Sequence, residues 1–560
     1  MARRTTIRHR GAWAAVVLAG GLLLAACSGS TGGSGSSSTS GGSSASGTLT
    51  IAFGNNTPFV DDFNPFSPTS NLQSQGLIYE PLWFFDMADA SQSHPWLATS
   101  YAWSNGGKTL TAQLRHNVKW SDGKPFTAAD VAFTFNLIKN NKSLNQNALP
   151  IAGATTKGQY TAVINFTQPS YTDINYIAGT TYIVPQHLWS SVSDPSTYQN
   201  GKPVGTGAYV ESSVSGQSMT FTANPHYYQA GLPKIKTLRY LYFSGNNSID
   251  LAIENGQVGW GGAFIPNIKQ TYEAKNPKYH VISIPAAIIN IVPNMVSGPT
   301  TSLPVREAVS DAINRTFIGQ SVYDGLVAQI NQTGLVQPLY QSVTDPSLDK
   351  AFPFSVSKAK DLLKSAGYTM GSDGYFQKDG KDLTITCQVP SGYTDYVSVL
   401  QIVEQNMKAA GIKLAVDAES LSQYSSNRAN GNFQLLIEYY GFTPSPYVYY
   451  KNLLDSDGIP PVGQLDAAGD FGRYSNPTVN KLFDQIAATP NVASAKPQFY
   501  KIESIVANDL PIIPVSDQQG DTEFNGNIVA GYPTLNNPYA EDVPIAPDYA
   551  WVTPRLSLVK

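Results

Sequence analysis

The residue types that most often carry out catalysis are present, but their spacing matches no catalytic motif. The six histidines are scattered, and the chain has no H-E-x-x-H, C-x-x-C, G-x-S-x-G or G-x-x-x-x-G-K-[ST] pattern. The 40 Asp and Glu residues could supply an acid/base pair, but no spacing selects two of them. The sequence therefore predicts a protein that is not an enzyme and that has no cofactor and no metal site.

The composition favours binding through aromatic rings and neutral polar groups. Charged residues make up 14% of the chain, whereas tyrosine alone occurs 31 times. A tyrosine ring offers an apolar face and a hydroxyl group that donates or accepts a hydrogen bond. The formal net charge of −4 gives no reason to expect nucleic acid as a partner.

One of the two cysteines, Cys27, follows an export-type leader. Four arginines and no acid precede an uncharged, largely apolar run at 11–26, and "LAAC" resembles the lipobox of bacterial lipoproteins. We therefore predict a lipoprotein signal peptide at 1–26, lipidation of Cys27, and an extracytoplasmic position on the cell membrane. Ser, Gly and Thr dominate the following residues, so 27–47 is predicted to be the lipidated cysteine and a flexible tether.

Hydrophobic periodicity predicts an α/β body after this tether. The alternation in "GTLTIAFG" predicts a first strand, and 383–416 has the strand, helix, strand pattern of a βαβ unit. Cys387 lies in the first strand of that unit and is predicted to be a buried, unreactive thiol. The continuous apolar run in "NFQLLIEYYG" predicts a parallel strand that is covered on both faces.

Two helices have clear sequence signals. Thr127 and Asp130 form a potential capping box ahead of a helix. "LPVREAVSDAINRTFIGQSVYDG" is predicted to be one amphipathic helix that begins near Pro304 and ends before Gly325, with Phe317 on its apolar face.

An ordered series of motifs resembles one family. "LTAQLRHNVKWSDGKPFTAADVAFTFNLI" is similar to the signature region of the family 5 extracytoplasmic solute-binding proteins, the peptide- and nickel-binding receptors of ABC importers. "NPHYYQAGLPKIKTLRYLYF", "AKDLLKSAGY", "MKAAGIKLAVDA" and "RYSNPTVNKLFDQI" follow in the order of that family. The resemblance spans nearly the whole chain after the tether.

The resemblance implies a two-lobed α/β fold of the periplasmic-binding-protein type, with mixed sheets and a ligand cleft that closes by a hinge. Lobe I would take 48–285, with an extra subdomain at about 85–200, and lobe II would take 286–508. The segment 509–560 would return to lobe I. It further implies a monomeric receptor that delivers its ligand to ABC permease subunits, whose ATPase subunits lie on the inner side of the membrane.

The residues expected to contact ligand also come from this resemblance. Peptide-binding members place an aspartate in the loop after the strand that corresponds to "LLIEYYG", where it pairs with the amino terminus of the ligand. Here Pro444 and Ser445 stand near that place, and Glu438 lies on the strand before it. The candidate ligand-binding residues are Asn55, Asn56, Trp260, Asn294, Tyr439, Tyr440, Phe442 and Tyr447.

The class of ligand has two readings at this point. An oligopeptide is the leading prediction, because most members of the family bind peptides. A neutral oligosaccharide is the alternative, because burial of an ammonium group without an acidic partner costs several kcal/mol, whereas tyrosine rings suit sugars. Nickel import and, from another class, a surface hydrolase or adhesin are the remaining alternatives.

Overall fold

The structure is a computed structural model. It describes residues 47–53, 58–67, 69–89, 91–327, 330–441, 443, 445–457, 459–464, 469–544 and 547–560. Some of the predicted features lie outside these residues, namely the signal peptide 1–26, Cys27, the tether up to residue 46, Asn55, Asn56 and Phe442. In the part that is described, no helix has the length and apolar character needed to cross a membrane.

Strands and helices are interspersed along the described chain. The strands are β1 (Thr48–Phe53), β2 (Trp83–Phe85), β3 (Ser93–Pro95), β4 (Ala98–Ser104), β5 (Thr109–Leu114), β6 (Ile151–Thr156), β7 (Thr161–Phe166), β8 (Tyr209–Ser215), β9 (Ser218–Ala223), β10 (Thr237–Leu241), β11 (Trp260–Gly262), β12 (Tyr279–Pro293), β13 (Thr369–Met370), β14 (Phe376–Lys378), β15 (Lys381–Asp382), β16 (Thr384–Pro390), β17 (Lys413–Glu419), β18 (Leu435–Gly441), β19 (Ile513–Asn525), β20 (Val529–Ala530) and β21 (Ser557–Leu558). The helices are α1 (Ala128–Asn140), α2 (Gln186–Trp189), α3 (Asn246–Glu254), α4 (Ile268–Thr271), α5 (Leu303–Ala312), α6 (Arg315–Val322), α7 (Val356–Ser365), α8 (Thr394–Ala409), α9 (Leu421–Asn430), α10 (Pro446–Leu454), α11 (Pro477–Ala487), α12 (Lys496–Asp509) and α13 (Asp548–Val552).

One mixed sheet organises the molecule around a long antiparallel ladder. Its ten strands have the order β17-β16-β18-β12-β19-β11-β1-β10-β9-β8. The central pair, β12 and β19, is hydrogen-bonded from Tyr279 opposite Asn525 to Ile291 opposite Ile513, with a register shift between Pro285 and Ala287. The remaining strands form one group on each side of this ladder.

The group containing β16, β17 and β18 is covered by helices on both faces. Along β12, Ile289 and Ile291 pack into one core with helices α5, α6 and α8, whereas Ile288 and Val292 pack into another with α10, α11 and α12. This alternation follows from the period of two residues in a strand. It explains the continuous apolar run of β18, which is parallel to β16 but antiparallel to β12.

The other group of strands has its own cores. Leu49 and Ile51 of β1 face a large aromatic core, and Ala52 faces a smaller one formed with α3. A separate sheet of order β4-β5-β7-β6 adds to the large core, and helix α1 packs against it.

The local sequence predictions fare differently. The first strand, the parallel βαβ unit of β16, α8 and β17, the buried Cys387 and the capping box of Thr127 and Asp130 are confirmed.

The prediction of a single helix before Gly325 is wrong. It is divided into α5 and α6, because Ile313 is extended and the Asn314 side chain caps α6 by accepting a hydrogen bond from the Phe317 backbone N–H at 3.1 Å. The Phe317 side chain is consequently 47% exposed rather than buried.

Candidate functional site

Strand ends from both sides of the sheet point toward the middle of the β12–β19 ladder. Strand β18 ends at Gly441, opposite Ala287, while β11 runs toward the same region with Gly261 opposite Glu523. The end of β1, Phe53, lies beside Gly262. Crevices outside the carboxyl ends of strands are frequent ligand sites in α/β proteins, so this junction is the candidate site.

Three adjoining cavities lie at this junction. The ladder cavity, of about 180 Å³, is lined by residues that include Phe53, Phe264, Tyr323, Asp395, Tyr439 and Asp521. The tyrosine cavity, of about 290 Å³, is lined by residues that include Arg428, Glu438, Tyr439, Tyr440, Tyr449 and Phe471. The amide cavity, of about 300 Å³, is lined by residues that include Gln75, Asn145, Gln146, Asn147, Asn175 and Asn452. Tyr439 borders the first two cavities, and Asn452 borders the last two.

The ladder cavity draws its polar side chains from four elements. Asp395 lies in the first turn of α8, directly after the β16 strand, and Asp521 lies on β19. Asp324 follows helix α6. Asn246, at the start of α3, donates from Nδ2 to Thr394 Oγ1 at 3.1 Å and to Asp395 Oδ1 at 3.4 Å. These two hydrogen bonds join the two groups of strands across the cavity.

The carboxylates of the ladder cavity lie in an unfavourable environment for negative charge. Burial, and to a lesser extent the nearby charge of Asp521, raises the pKa of Asp395 to about 6. Burial, together with the charge of Asp324, raises the pKa of Asp521 to about 6, although the Ser283 hydroxyl donates a hydrogen bond to it. None of the described residues that line this cavity is a Lys, Arg or His.

The tyrosine cavity has a different charge balance. The carboxylate of Glu438, which is 5% exposed, is ion-paired with Arg428 and accepts a hydrogen bond from the Tyr424 hydroxyl at 3.3 Å. The Arg428 guanidinium also lies 4.6 Å from the centre of the Phe471 ring. The charge of Glu438 is therefore balanced within the protein.

The amide cavity presents neutral polar groups. Its rim includes Tyr176, whose hydroxyl donates to Asn452 Oδ1 at 3.1 Å. Amide and hydroxyl groups both donate and accept, so this part of the cleft suits a peptide backbone or a sugar.

Two of the predicted ligand contacts lie in the cleft. The Tyr439 side chain is 40% exposed and borders the ladder and tyrosine cavities. Tyr440 lines the tyrosine cavity, and its hydroxyl donates to the Gly469 carbonyl at 2.9 Å.

Three other predicted contacts are packed in the interior. The Trp260 indole donates to the Asp542 carbonyl at 2.9 Å and stacks on Phe524. Asn294 Nδ2 donates to the carbonyls of residues 431 and 433, and the Tyr447 ring packs against Phe483. These contacts hold each side chain in the fold, and the assignment of all three as ligand contacts stays a prediction.

The tyrosine-rich segment that follows strand β18 is helical from Pro446, where helix α10 begins with Ser445 as its N-cap. The hydroxyls of Tyr449 and Tyr450 donate to the carbonyls of Gly334 and Thr333, at 2.5 and 2.9 Å. The rings of Tyr447, Tyr449 and Tyr450 are buried in the core that α10 forms with α11 and α12.

The histidines are dispersed in the structure as in the sequence. The His94 ring lies parallel to the rings of Phe84 and Trp551, which stack on each other at 4.7 Å. His116 stacks on Tyr160, and His187 is hydrogen-bonded to Asp122. Throughout the described ranges, no group of three or more His, Cys, Asp or Glu residues is placed to hold a metal ion.

The sequence analysis missed the carboxylates of the ladder cavity. One signal could have identified Asp395, because it follows the first strand of a predicted βαβ unit, where ligand-binding loops occur. Asp521 and Tyr323 had no such signal, since only the pairing of distant strands brings them beside Asp395.

Comparisons with known proteins agree on one family. The pattern of the bacterial extracellular solute-binding proteins, family 5, middle region, matches residues 92–460. The nickel-binding periplasmic protein of Escherichia coli is 26% identical over 500 residues, covering 86% of this chain and 90% of that protein.

Solved structures agree with the sequence match. A periplasmic oligopeptide-binding protein of an oligopeptide ABC transporter from Thermotoga maritima, with mannohexaose bound, has a TM-score of 0.83 and 25% identity, and covers 91% of this chain and 98% of that one. The oligopeptide-binding protein AppA of Bacillus subtilis, in complex with a nonapeptide, has a TM-score of 0.78 and 21% identity, with 92% and 99% covered. The predicted fold class, a two-lobed α/β binding protein, is confirmed.

Proposed function

The chain belongs to the bacterial extracellular solute-binding proteins of family 5, which are transport receptors rather than enzymes, and on that premise we propose that it is a lipid-anchored receptor for oligopeptides. It captures the peptide in the cleft at the β12–β19 ladder and delivers it to the permease of an ABC importer. The observation that carries the proposal is the series of three adjoining cavities. Their linings offer acidic, aromatic and amide surfaces in turn.

Closure of the two lobes is the proposed capture step. We assign lobe I to 48–285 and 509–560, with the subdomain at about 85–200, and lobe II to 286–508. Under this assignment β12 is the strand of the described sheet that crosses the boundary between the lobes, and its register shift against β19, between Pro285 and Ala287, lies at the hinge. Domain closure around a ligand is a common switching motion, and the closed monomer is the form that would dock on the permease.

A neutral oligosaccharide is the second candidate ligand. Tyr439 and Tyr440 place aromatic rings at the cleft, and the amide cavity adds neutral donors and acceptors. The Thermotoga maritima protein, which was solved with mannohexaose, gives a further reason to test this class.

The ligand class is tested by native mass spectrometry of the purified protein, followed by thermal shifts with peptides and oligosaccharides. A ligand at 100 times its Kd stabilises the folded state by about 2.7 kcal/mol, which is readily measured. We expect the peptides to raise the melting temperature. Stabilisation by mannohexaose alone would replace the peptide with a sugar and leave the receptor role intact.

The lipid anchor is tested at Cys27. Metabolic labelling with an alkyne fatty acid should label the wild type, whereas the Cys27→Ala variant should be unlabelled and released from the membrane. The matched control is Cys387→Ala, which should remain labelled because the Cys387 thiol is buried in β16. Membrane attachment of a processed Cys27→Ala protein would contradict the anchor.

A further inference from the structure

Contacts outside the β12–β19 ladder join the two proposed lobes at two places. The first, the ladder clasp, consists of Gly245 and Asn246 at the start of α3 and Gly392 and Thr394 at the start of α8. Asn246 donates from its side chain to Thr394 Oγ1 at 3.1 Å and from its backbone to the Gly392 carbonyl at 3.4 Å. Because α3 belongs to lobe I and α8 to lobe II, these bonds can form only while the lobes are together.

The two backbones of the ladder clasp approach each other closely at the glycines. A Cβ atom on Gly245 would lie 3.4 Å from the Cα and carbonyl oxygen of Gly392, and one on Gly392 would lie 3.3 Å from the carbonyl oxygen of Ser244. Gly245 has an extended backbone, with φ of 167°, and Gly392 has no positive φ. Space between the lobes, rather than backbone strain, therefore favours a small residue at both positions.

The second place, the subdomain clasp, joins Tyr176 of the subdomain to Asn452 of helix α10. The Tyr176 hydroxyl donates to Asn452 Oδ1 at 3.1 Å. The Tyr176 ring packs against both the large aromatic core and the core of α10, α11 and α12. Separation of the lobes would break the hydrogen bond and remove the ring from one of these cores. Tyr176 also lies in a π-helical turn, Asn175–Gly179, a feature that is frequent at functional sites.

A charge interaction supports the subdomain clasp. Asp173, which precedes Tyr176 in the same segment, is 4% exposed, and burial raises the pKa of its carboxyl group. The positive charge of Lys451, next to Asn452 on α10, acts in the opposite direction by stabilising the carboxylate. A cation that stabilises this buried acid of the subdomain therefore lies on lobe II.

We propose that the two clasps set the equilibrium between the open and the closed receptor and thereby its affinity for ligand. The inference rests on the proposed receptor function and its lobe assignment, and it specifies the regulation of the cleft. Asn246 borders the ladder cavity, and Tyr176 and Asn452 border the amide cavity, so the clasps stand at the two outer cavities of the series. The ligand is held in the closed form, so a contact that favours this form strengthens the binding of every ligand by the same factor.

The first test measures closure without a ligand. Gly245→Cys and Gly392→Cys, combined in the processed full-length protein, place two thiols where the lobes meet. A disulfide needs Cβ atoms about 3.5 to 4.5 Å apart, so it can form only in the closed receptor. The native Cys387 thiol is buried and does not compete. We expect the engineered disulfide to form under mild oxidation, and peptide mapping under non-reducing conditions identifies it and measures its rate of formation.

Tyr176→Phe and Thr394→Val are the clasp variants, because each removes one hydroxyl group with little change in shape. Tyr209→Phe and Thr489→Val are the matched controls, since those hydroxyls donate to backbone carbonyls within a single lobe and neither residue lines a cavity of the series. We expect each clasp variant to slow the engineered disulfide by about 3- to 10-fold, which corresponds to the loss of one hydrogen bond. The controls should remain within about twofold, and the melting temperature checks folding.

The second test measures affinity by calorimetric titration with peptides of two to six residues and with mannohexaose. Each clasp variant, without the added cysteines, should raise the Kd of every probe that binds by the same factor, about 3- to 10-fold. In the disulfide assay, Asn452→Ala combined with Tyr176→Phe should have no larger effect than the stronger single variant, because both substitutions remove the same hydrogen bond.

Several results would overturn the inference, and they separate it from the receptor function. If no engineered disulfide forms, or if its rate is unchanged in both clasp variants, the clasps do not govern closure. A change in Kd for peptides but not for mannohexaose, when both bind, would show direct contact with the ligand instead. If no probe binds, the proposed ligands are contradicted, while the disulfide rates still decide for or against the clasps.

Discussion

The ladder cavity and the tyrosine cavity share Tyr439, and both contain buried carboxylates, but the carboxylates differ in their partners. Glu438 in the tyrosine cavity is paired with Arg428. Asp395 in the ladder cavity accepts hydrogen bonds from backbone N–H groups and a long one from Asn246, but it lies near a second carboxylate, Asp521, rather than a cation. One acid therefore stabilises the fold, whereas the other carries an electrostatic cost.

This difference separates structural acids from candidate binding acids. Perturbed carboxylates concentrate at functional sites, because a binding site retains charge that the fold itself does not need. An internal ion pair such as Arg428 with Glu438 already satisfies both partners. The position of an acid in a cleft is thus a weaker guide to ligand binding than the absence of a cation beside it.

The largest expected effect is on stability, from breaking the pair in the tyrosine cavity. Arg428→Met would leave Glu438 buried without its cation and should lower the free energy of unfolding by about 3 kcal/mol. Urea unfolding measures the change. The double variant Arg428→Met, Glu438→Gln is the control, and it should recover most of the loss because no buried charge then remains.

An Arg428→Met variant within about 0.5 kcal/mol of the wild type would show that the pair contributes little. That result would contradict the claim that Glu438 stabilises the fold through its pair with Arg428. Equal loss of stability in Asp395→Asn would have the same consequence.

A smaller effect with the opposite sign is expected in the ladder cavity. The pKa of Asp395 is raised to about 6, mainly by burial, so protonation favours the folded state. This contribution is complete below the unfolded pKa, near 4, and is lost as the pH rises through about 6. Relative to Asp395→Asn, the wild type should therefore lose about 2 kcal/mol between pH 4 and pH 8.

The measurement is urea unfolding of both proteins across that pH range. Asp373→Asn, on an exposed turn, is the control and should follow the wild type at every pH. Parallel curves of unfolding free energy against pH for the wild type and Asp395→Asn would contradict the raised pKa of Asp395.

The smallest effect separates the two tyrosine positions. Tyr439→Ala should weaken peptide binding by about three- to tenfold, because it removes an aromatic surface between two cavities, and should change stability by less than about 1 kcal/mol. Tyr447→Phe should leave binding unchanged, because that ring packs against Phe483 in a core. Calorimetric titration measures both, and reversed effects would place the ligand on the α10 side.

Local parts of the fold could be predicted from the sequence. The βαβ unit and the capping box depend on residues close in the chain, so periodicity and spacing reveal them. The division of α5 from α6 was missed because apolar spacing continues through Ile313, while the cap supplied by Asn314 interrupts the backbone. The β12–β19 ladder pairs segments more distant in the chain, and periodicity carries no information about such pairing.

The candidate site was only partly predictable for the same reason. Tyr439 and Tyr440 could be proposed because they lie at the end of a recognisable strand. The grouping of Asp395, Tyr323 and Asp521 depends on three elements that meet only after the ladder forms. Trp260 and Asn294 were proposed from their positions in the order of the family's motifs. In the structure their side-chain N–H groups donate to backbone carbonyls inside the protein.

The most direct test locates the amino end of a bound peptide. A peptide with a free amino terminus and a diazirine side chain at its first residue would be bound, irradiated and mapped by mass spectrometry. We expect cross-links to residues that line the three cavities, such as Tyr439 and Tyr440. Cross-links confined to residues outside these cavities, such as those of the exposed turn at Asp373, would contradict the assignment of the cleft as the peptide site.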